Sequence, residues 1–203
     1  MFGQREIPSA ERPEVIESGG HRNKWNRRYQ ERQLDSFQPE PHPMVEPFRA
    51  RLTGGRMLDA ACGLGRGIAT AGDRFETVFA VDISDVAVMM ARSHWKGHPG
   101  IQWIIGDVTS MAWPKDFFGL VCAFGFTDVP FFKRVQTAIH KGGMFLYEGF
   151  SRRQLEVKPE LSPDWTMTLD EAARLFESWE ILLLEESTEA PYRIRLAAVR
   201  ENQ

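Results

Sequence analysis

A turn rich in small residues separates two strand-like runs in the first half of the chain. Residues 57–67 read MLDAACGLGRG and residues 78–84 read VFAVDIS, so the first run passes through Asp59 and the second ends at Asp82. Small residues between a strand and a helix let a ligand approach the backbone, and the amides at the helix start can meet a carboxylate. Open α/β sheets bind their ligands outside the carboxyl ends of the strands. The segment therefore predicts a parallel sheet with a ligand crevice at that edge.

Apolar runs alternate with helix-like segments over the rest of the chain. Runs that are apolar on both faces and separated by helices indicate a parallel sheet covered on both sides. The last two runs, Trp179–Glu186 and Tyr192–Arg200, have no helix between them and are expected to pair as an antiparallel hairpin. The predicted fold class is α/β, a Rossmann-like three-layer sandwich whose mostly parallel seven-stranded sheet ends in a C-terminal antiparallel hairpin. The predicted strands before the hairpin are Arg56–Ala60, Val78–Val81, Ile101–Ile105, Phe118–Phe124 and Met144–Glu148.

Length and charge restrict the classes of function. The 203 residues suffice for one substantial core, and 42% hydrophobic with 26% charged residues is ordinary for a globular protein. A formal charge of −3 argues against nucleic acid or an anionic membrane as a partner. The longest near-apolar run, Phe117–Phe126, is about half of what a membrane helix needs. Because no charged-then-apolar leader opens the sequence, we expect a cytoplasmic protein with reduced thiols at Cys62 and Cys122.

Two kinds of nucleoside ligand are compatible with the glycine turn. A dinucleotide site requires G-x-G-x-x-G, whereas this turn has Gly63-x-Gly65-x-Gly67 and places Ile68 where the third glycine belongs. Asp59 also adds a negative charge at a position where a diphosphate would already be negative. S-adenosylmethionine carries an amino group, a ribose and an adenine but no phosphate, so it suits the turn better. An NAD(P)-dependent oxidoreductase stays open as the less favoured alternative.

Five segments, in order, resemble the successive motifs of class I S-adenosylmethionine-dependent methyltransferases. They are LDAACGLGRG, AVDIS, GDVTSMAW, FFGLVCAFGF and HKGGMFLYEGF. Near the N-terminus, WNRRYQER is similar to the entry motif of the tellurite-resistance and thiopurine-type branch, and LYEGFSRRQL and TLDEAARLFESWEILLLEE are also similar to that branch. The resemblance implies two parts, which are a polar N-terminal segment and helical lid in residues 1–53 and a methyltransferase domain in residues 54–203.

The resemblance also implies how S-adenosylmethionine would be held. Asp59 would orient the loop and the methionine amino group, Asp82 would hold the ribose hydroxyls, and Asp107 would accept from the adenine amino group. In the loop, the implied positions are Ala61, Cys62, Gly63 and Gly65, and on the adenine side they are Ile83, Gly106 and Val108. Ala123 and Phe124 would form the floor below the sulfonium, and Trp25, Arg28 and Tyr29 would belong to the lid. Trp25 and Tyr29 are also four residues apart and can simply form a packed helix pair.

Two positions depart from the pattern of the family. Ala61 stands where the first glycine is usual, which is a mild change if its φ is negative. Gly67 stands where this branch commonly has asparagine, which removes a side chain that could contact a ligand. Asp128, after the fourth strand, can either orient a substrate or cap the next helix, and the cap is the favoured interpretation.

The expected activity is methyl transfer to a small-molecule acceptor, such as a thiol, a thiopurine or a chalcogen oxyanion. In-line displacement depends largely on holding donor and acceptor in alignment, and a soft or anionic acceptor needs no general base. No catalytic acid or base is identified, and no metal site is expected. A catalytically silent module that binds S-adenosylmethionine is the alternative. The oligomeric state is left open.

Overall fold

The computed structural model describes residues 18–31 and 40–201. Residues 1–17 of the predicted polar N-terminal segment lie outside the described part, and Ser18 begins the first helix. Within the two described ranges, no helix combines the length and the apolar character that a membrane span requires.

Eight strands of the described residues form one mixed sheet. They are β1 Arg56–Ala60, β2 Thr77–Asp82, β3 Ile101–Ile105, β4 Phe118–Phe124, β5 Ile139–Ser151, β6 Thr166–Met167, β7 Glu180–Glu186 and β8 Arg193–Val199. The strand order is β3-β2-β1-β4-β5-β8-β7, and β6 pairs with β5. The first five strands run parallel, whereas β8 is antiparallel to both β5 and β7. The predicted parallel sheet with a C-terminal antiparallel hairpin is confirmed, and the two-residue β6 is an eighth strand beyond the seven predicted.

Side-chain caps define where the helices begin. The α-helices are α1 Ser18–Glu31, α2 Arg66–Ala71, α3 Asp85–His94, α4 Val129–Ala138, α5 Gln154–Val157 and α6 Leu169–Leu175, and the 3-10 helices are Pro43–Arg51, Gly72–Arg74, Val108–Ser110 and Pro163–Trp165. Ser84 caps α3, Asp128 caps α4, and Thr168 with Glu171 forms a capping box on α6. A side-chain oxygen at this position satisfies an amide that the first helical turn leaves unpaired. The cap at Asp128, which the sequence favoured over a substrate-orienting role, is confirmed.

Strand β5 is longer than the sequence suggested. The predicted strand Met144–Glu148 is only the central part of β5, because α4 ends at Ala138 and β5 begins at the next residue. The register between β4 and β5 is irregular between Phe118 and Leu120. Glycine within a strand often marks such an irregularity, because the missing side chain lets neighbouring backbones approach closely.

Both faces of the sheet are buried. Helices α4 and α6 cover one face, where the core contains Phe132 and Tyr147. Helix α2 and the 3-10 helix Pro43–Arg51 cover the other face, where the core contains Met57 and Leu146. The carboxyl ends of the parallel strands and the beginning of β8 therefore open on one shared edge, at which ligands of such sheets bind.

Candidate functional site

The loop between β1 and α2 folds tightly at the carboxyl end of the sheet. The Cys62 amide donates to the Val81 carbonyl at 2.9 Å, and the Gly65 amide donates to the Cys62 carbonyl at 2.8 Å. Gly63 and Gly65 have φ values of +53° and +90°, and Ala61 also has a φ of +53°. The expectation of a mild change at Ala61 required a negative φ and is wrong. A non-glycine residue in the left-handed region costs roughly 1–2 kcal/mol.

Asp82, the last residue of β2, connects this loop to the start of α3. Its Oδ2 accepts from the Gly63 amide and its Oδ1 from the Ser84 amide, each at 2.8 Å. Burial raises the pKa of Asp82, although the hydrogen bonds that the backbone amides of Ser84 and Gly63 donate to it oppose that effect. An ionised carboxylate has about four lone-pair sites, so each oxygen keeps capacity for another donor. Asp82 can therefore organise the loop and still accept hydroxyl groups.

Asp59 lies in β1 directly beneath the first turn of α2. The carboxyl is 2% exposed, and its Oδ2 accepts from the Ile68 amide at 3.2 Å. Burial raises the pKa of Asp59 to about 8, and the nearby Asp82 carboxylate adds to the increase. Hydrogen bonds from the backbone amides of Ile68 and Gly67 oppose it. A Cβ placed on Gly67 would lie 2.5 Å from the Asp59 Cγ. In this structure, the missing side chain at position 67 leaves the room that the Asp59 carboxyl occupies.

The third acid follows β3, the neighbour of β2. The Gly106 amide donates to the Asp82 carbonyl at 2.9 Å and extends the pairing of the two strands. Asp107 Oδ1 accepts from the amide and the hydroxyl of Thr109 at 2.9 and 2.7 Å. Its Oδ2 has no hydrogen-bond donor among residues 18–31 and 40–201. The structure thus aligns the three predicted acids along the ends of β1, β2 and β3.

The face of α1 that carries Arg22 and Asn26 is attached to the segment that follows β2. The Asn26 side chain donates to Asp85 Oδ1 at 2.6 Å and accepts from the Ser84 hydroxyl at 2.7 Å. The Arg22 side chain donates to the carbonyl of the half-buried Ile83 at 3.1 Å. These bonds place α1 beside the residues predicted to hold the ribose and the adenine.

The middle of α1 lies on the glycine loop. A Cβ placed on Gly63 would lie 2.5 Å from the Tyr29 hydroxyl, so the tyrosine covers the backbone there. The rings of Trp25 and Tyr29 are 6.4 Å apart, and the Arg28 guanidinium lies 5.1 Å from the Trp25 ring centroid. The two interpretations of the aromatic pair, a packed helix pair and a cover over the loop, therefore apply together.

The end of β4 carries the residues predicted to form the pocket floor. Ala123 is fully buried in the core, as is most of Val108, so neither presents side-chain surface to the edge. Phe124 is half-buried and stacks on His42, with ring centroids 4.4 Å apart and an interplanar angle of 19°. His42 is 2% exposed. Local sequence assigns His42 no role, because it lies between Pro41 and Pro43 and has no spacing relation to the other motifs.

His42 belongs to a buried polar cluster at the ends of β5 and β8. Its Nε2 lies 3.1 Å from Glu148 Oε1, and Glu148 Oε2 accepts from the Arg195 side chain at 2.8 Å. The Met44 amide donates to His42 Nδ1 at 3.4 Å, which assigns the ring proton to Nε2. Burial opposes ionisation of Glu148, but the bonds from His42 and Arg195 outweigh it and lower its pKa to about 2. The carboxylate therefore stays ionised next to the Phe124 ring.

Glu148 is expected to make the stability of the protein depend on pH below 4.5. Its pKa is about 2 in the folded state, against an ordinary glutamate value of about 4.5, so its contribution to stability is present above pH 4.5 and is lost as the pH falls toward 2. Glu148→Gln should reduce the slope of unfolding free energy against pH in that window by up to about 1.4 kcal/mol per pH unit. Urea titrations at several pH values measure the slope. Equal slopes for the two proteins would contradict the assignment.

Comparison with protein families identifies the central part of the chain. Residues 57–143, from β1 into β5, match the family model of a methyltransferase domain. This part of the chain is similar to a methyltransferase domain. This family implies S-adenosylmethionine as the methyl donor, in agreement with the prediction from the sequence. A search of curated proteins gave no sequence match.

Solved structures show that the chain has the Rossmann-like fold of class I methyltransferases. One similar structure is a protein of echinomycin biosynthesis, where a disulfide bond is converted into a thioacetal group. It aligns with a TM-score of 0.64 at 20% identity, over 90% of this chain and 94% of the other. TehB from Haemophilus influenzae aligns with a TM-score of 0.64 at 15% identity, over 79% of this chain and 62% of TehB. An S-adenosylmethionine-dependent methyltransferase from Leishmania major aligns with a TM-score of 0.60 at 18% identity, over 77% and 71%.

The residues at the carboxyl ends of the parallel strands fit an adenosyl sulfonium compound. Asp82 and Asp107 keep acceptor capacity for hydroxyl and amino groups, and Ile83 is a half-buried apolar side chain between them. Asp59 supplies a carboxyl beside the loop, and a cationic amino group would favour its ionised form whereas a diphosphate would oppose it. A separate groove of about 750 Å³ on the outer side of α3 and β3 includes none of the predicted site residues.

Proposed function

We propose that the protein transfers a methyl group from S-adenosylmethionine to a small-molecule acceptor at the carboxyl edge of β1, β2 and β4. The observation that carries the proposal is the alignment of Asp59, Asp82 and Asp107 on three neighbouring strands around one glycine loop. In this proposal Asp82 holds the ribose, Asp107 accepts from the adenine amino group, and Asp59 attracts the methionine amino group.

Helix α1 supports a small acceptor, because it is attached on both sides of the edge. Asn26 bonds to the start of α3, which follows β2. At the other side, the Lys24 ammonium lies 3.9 Å from the ring centroid of Trp165, which directly precedes β6 at the end of β5. Strands β1 and β4 lie between β2 and β5, so α1 spans the edge where the acceptor would bind. We therefore propose that α1 is the lid within the predicted N-terminal segment of residues 1–53.

Catalysis by this chain rests on positioning. When bound, S-adenosylmethionine supplies a methyl group on a positively charged sulfur. Asp82 and the loop amides hold the donor in one orientation, α1 excludes water, and the Phe124 ring, supported by His42, forms a wall at the end of β4. Fixing two reactants in alignment supplies several kcal/mol of barrier reduction. No side chain is assigned to proton transfer, which suits a soft or anionic acceptor such as a thiol, a thiopurine or a chalcogen oxyanion.

Calorimetry with S-adenosylhomocysteine tests the donor site and the role of Asp59 together. With a pKa of about 8, Asp59 is mostly protonated at pH 7 in the free protein. A cationic amino group beside it favours the ionised form and lowers its pKa, so binding should release up to about one proton per protein at pH 7. The release appears as a difference in binding enthalpy between phosphate and Tris buffers. Asp59→Asn should bind without this difference.

Each result separates one part of the proposed function from the rest. No binding of S-adenosylhomocysteine at tens of micromolar protein would overturn the donor site. Binding without proton release would remove only the role of Asp59. An acceptor screen with radiolabelled S-adenosylmethionine then tests small thiols, thiopurines and selenite. Tight binding of the donor without transfer to any of them would favour a catalytically silent binding module.

A further inference from the structure

Three arginines gather at the acceptor side of the edge, on the face that α2 covers. Arg66 is the first residue of α2, and Arg193 and Arg195 begin β8. The two β8 residues are two positions apart and lie on the same face, where Arg195 contacts Glu148 and Arg193 contacts Phe150. The proposed function uses none of these guanidinium groups.

The three side chains differ in how far their charge is neutralised. Arg195 donates to Glu148 and to Glu185, at 2.8 and 3.0 Å. Arg66 lies 4.0 Å from the same Glu148 carboxylate, beyond hydrogen-bond distance, and 46% of its side chain is exposed. Arg193 has neither an ion pair nor a hydrogen bond from its side chain within residues 18–31 and 40–201. Its guanidinium lies 4.6 Å from the Phe150 ring centroid. Three guanidinium groups thus face two carboxylates.

The strand registers place Arg193 near the expected position of the acceptor. Phe124 at the end of β4 pairs with Glu148, and Arg193 pairs with Phe150, two residues further along β5. Strand β8 is two strands from β4, a lateral distance of about 10 Å. Arg193 therefore lies two residues beyond Phe124 along the strand direction and about 10 Å to its side. One small organic molecule can span that distance.

We propose that Arg193, with Arg66, binds a carboxylate group of the methyl acceptor. This inference rests on the proposed function. A guanidinium stacked on an aromatic ring keeps its planar N–H fork at the edge of the stack, and this fork matches a carboxylate with two parallel hydrogen bonds. The half-buried rings of Phe124 and Phe150 suit the organic part of such an acceptor better than they suit an inorganic oxyanion. The acceptor is therefore an organic acid whose methylated atom lies toward β4.

Matched pairs of acids and amides test the subsite without knowledge of the methylated atom. Benzoate and benzamide, and mercaptoacetate and mercaptoacetamide, are titrated into protein saturated with S-adenosylhomocysteine, and the side-chain N–H resonances of the arginines are followed by NMR. Each acid should bind at least about tenfold more tightly than its amide and should shift the Arg193 resonance. Arg193→Gln should abolish the preference, and Arg193→Lys should retain part of it because the charge stays but the fork is lost.

A second arginine of the same geometry provides the control. Arg56, at the opposite end of β1, also stacks on a ring, with its guanidinium 4.6 Å from the Phe117 centroid, and Arg56→Gln should leave the preference for acids intact. Equal affinities for acid and amide in the saturated wild-type protein would overturn the inference, and so would a preference that survives Arg193→Gln. Sulfate or selenite displacing benzoate at lower concentration would assign the subsite to inorganic oxyanions instead. Failure of S-adenosylhomocysteine to bind would refute the proposed function itself, so the two failures are distinct.

Discussion

Replacement of Asp82 by alanine is expected to lower the affinity for S-adenosylhomocysteine by about a hundredfold or more. The carboxylate accepts the amides of Gly63 and Ser84, so its removal leaves two buried donors unpaired and frees the loop. Hydrogen bonds to a charged group contribute about 1.5–3 kcal/mol each, and the ribose would lose its acceptors at the same time. Isothermal titration of the variant measures the loss, with circular dichroism and thermal unfolding to verify that the chain still folds.

Two further variants distinguish a specific role of Asp82 from a general loss of charge. Asp82→Asn keeps one acceptor oxygen but turns an amino group toward a backbone donor, so most of the affinity should still be lost. Asp116 is also paired, with Arg200, but it lies before β4 at the opposite edge of the sheet. Asp116→Ala should therefore bind the ligand as the wild type does. A folded Asp82→Ala protein with undiminished affinity would remove the ribose assignment.

Replacement of Gly67 by alanine is expected to damage both stability and donor binding. The added Cβ would lie 2.5 Å from Cγ and Oδ1 of Asp59, a distance at which one of the two groups must move. Asp59 is held in a buried strand, so α2 has to shift and lose the bond from the Ile68 amide. Overpacking of this kind typically costs about 1–3 kcal/mol, or roughly 4–8 °C in Tm for about 2 kcal/mol in a chain of this size. Thermal unfolding and calorimetry measure the two effects.

The double variant Gly67→Ala with Asp59→Ala tests the proposed cause. Removing the carboxyl makes room for the methyl group, so the double variant should be more stable than Gly67→Ala alone, with a coupling of about 1 kcal/mol or more. Donor binding should stay weak, because the acid is gone. Gly20→Ala in α1 is the control, since a Cβ there has no neighbour within 4 Å and should stabilise the helix by up to about 1 kcal/mol. Additive effects of the two site changes would show that the steric contact is not the reason.

Local patterns in the sequence were sufficient for the sheet and for the acids at its edge. Strands buried on both faces are continuous apolar runs, and an acid that ends such a run stands out, as Asp82 does. The helix caps at Ser84 and Thr168 were also readable, because a cap depends only on residues within one turn. The error at Ala61 has the opposite origin, because the conformation there depends on a distant contact. The next residue, Cys62, donates its amide to Val81 on another strand, and no local pattern contains that bond.

The contacts at the acceptor side were not readable from the sequence. His42 approaches Glu148 across 106 positions of the chain, and Arg195 reaches it from another strand. Neither residue belongs to a motif, and arginine and histidine are usually found on surfaces. The long separation means that only the folded sheet brings them together, and a single sequence carries no record of such a pairing.

The amino-acid sequence by itself determined the α/β class, the order of strands and helices, the glycine loop and the three acids, because each follows from the spacing of residues that are close in the chain. The tertiary structure decided what those residues do to one another. It buried Asp59 against Gly67, engaged Asp82 with two amides, set Tyr29 on Gly63 and left the Arg193 side chain without an ion pair or a hydrogen bond among the described residues. Burial, charge pairing and steric contact depend on residues from separate strands, so these properties exist only once the sheet has formed.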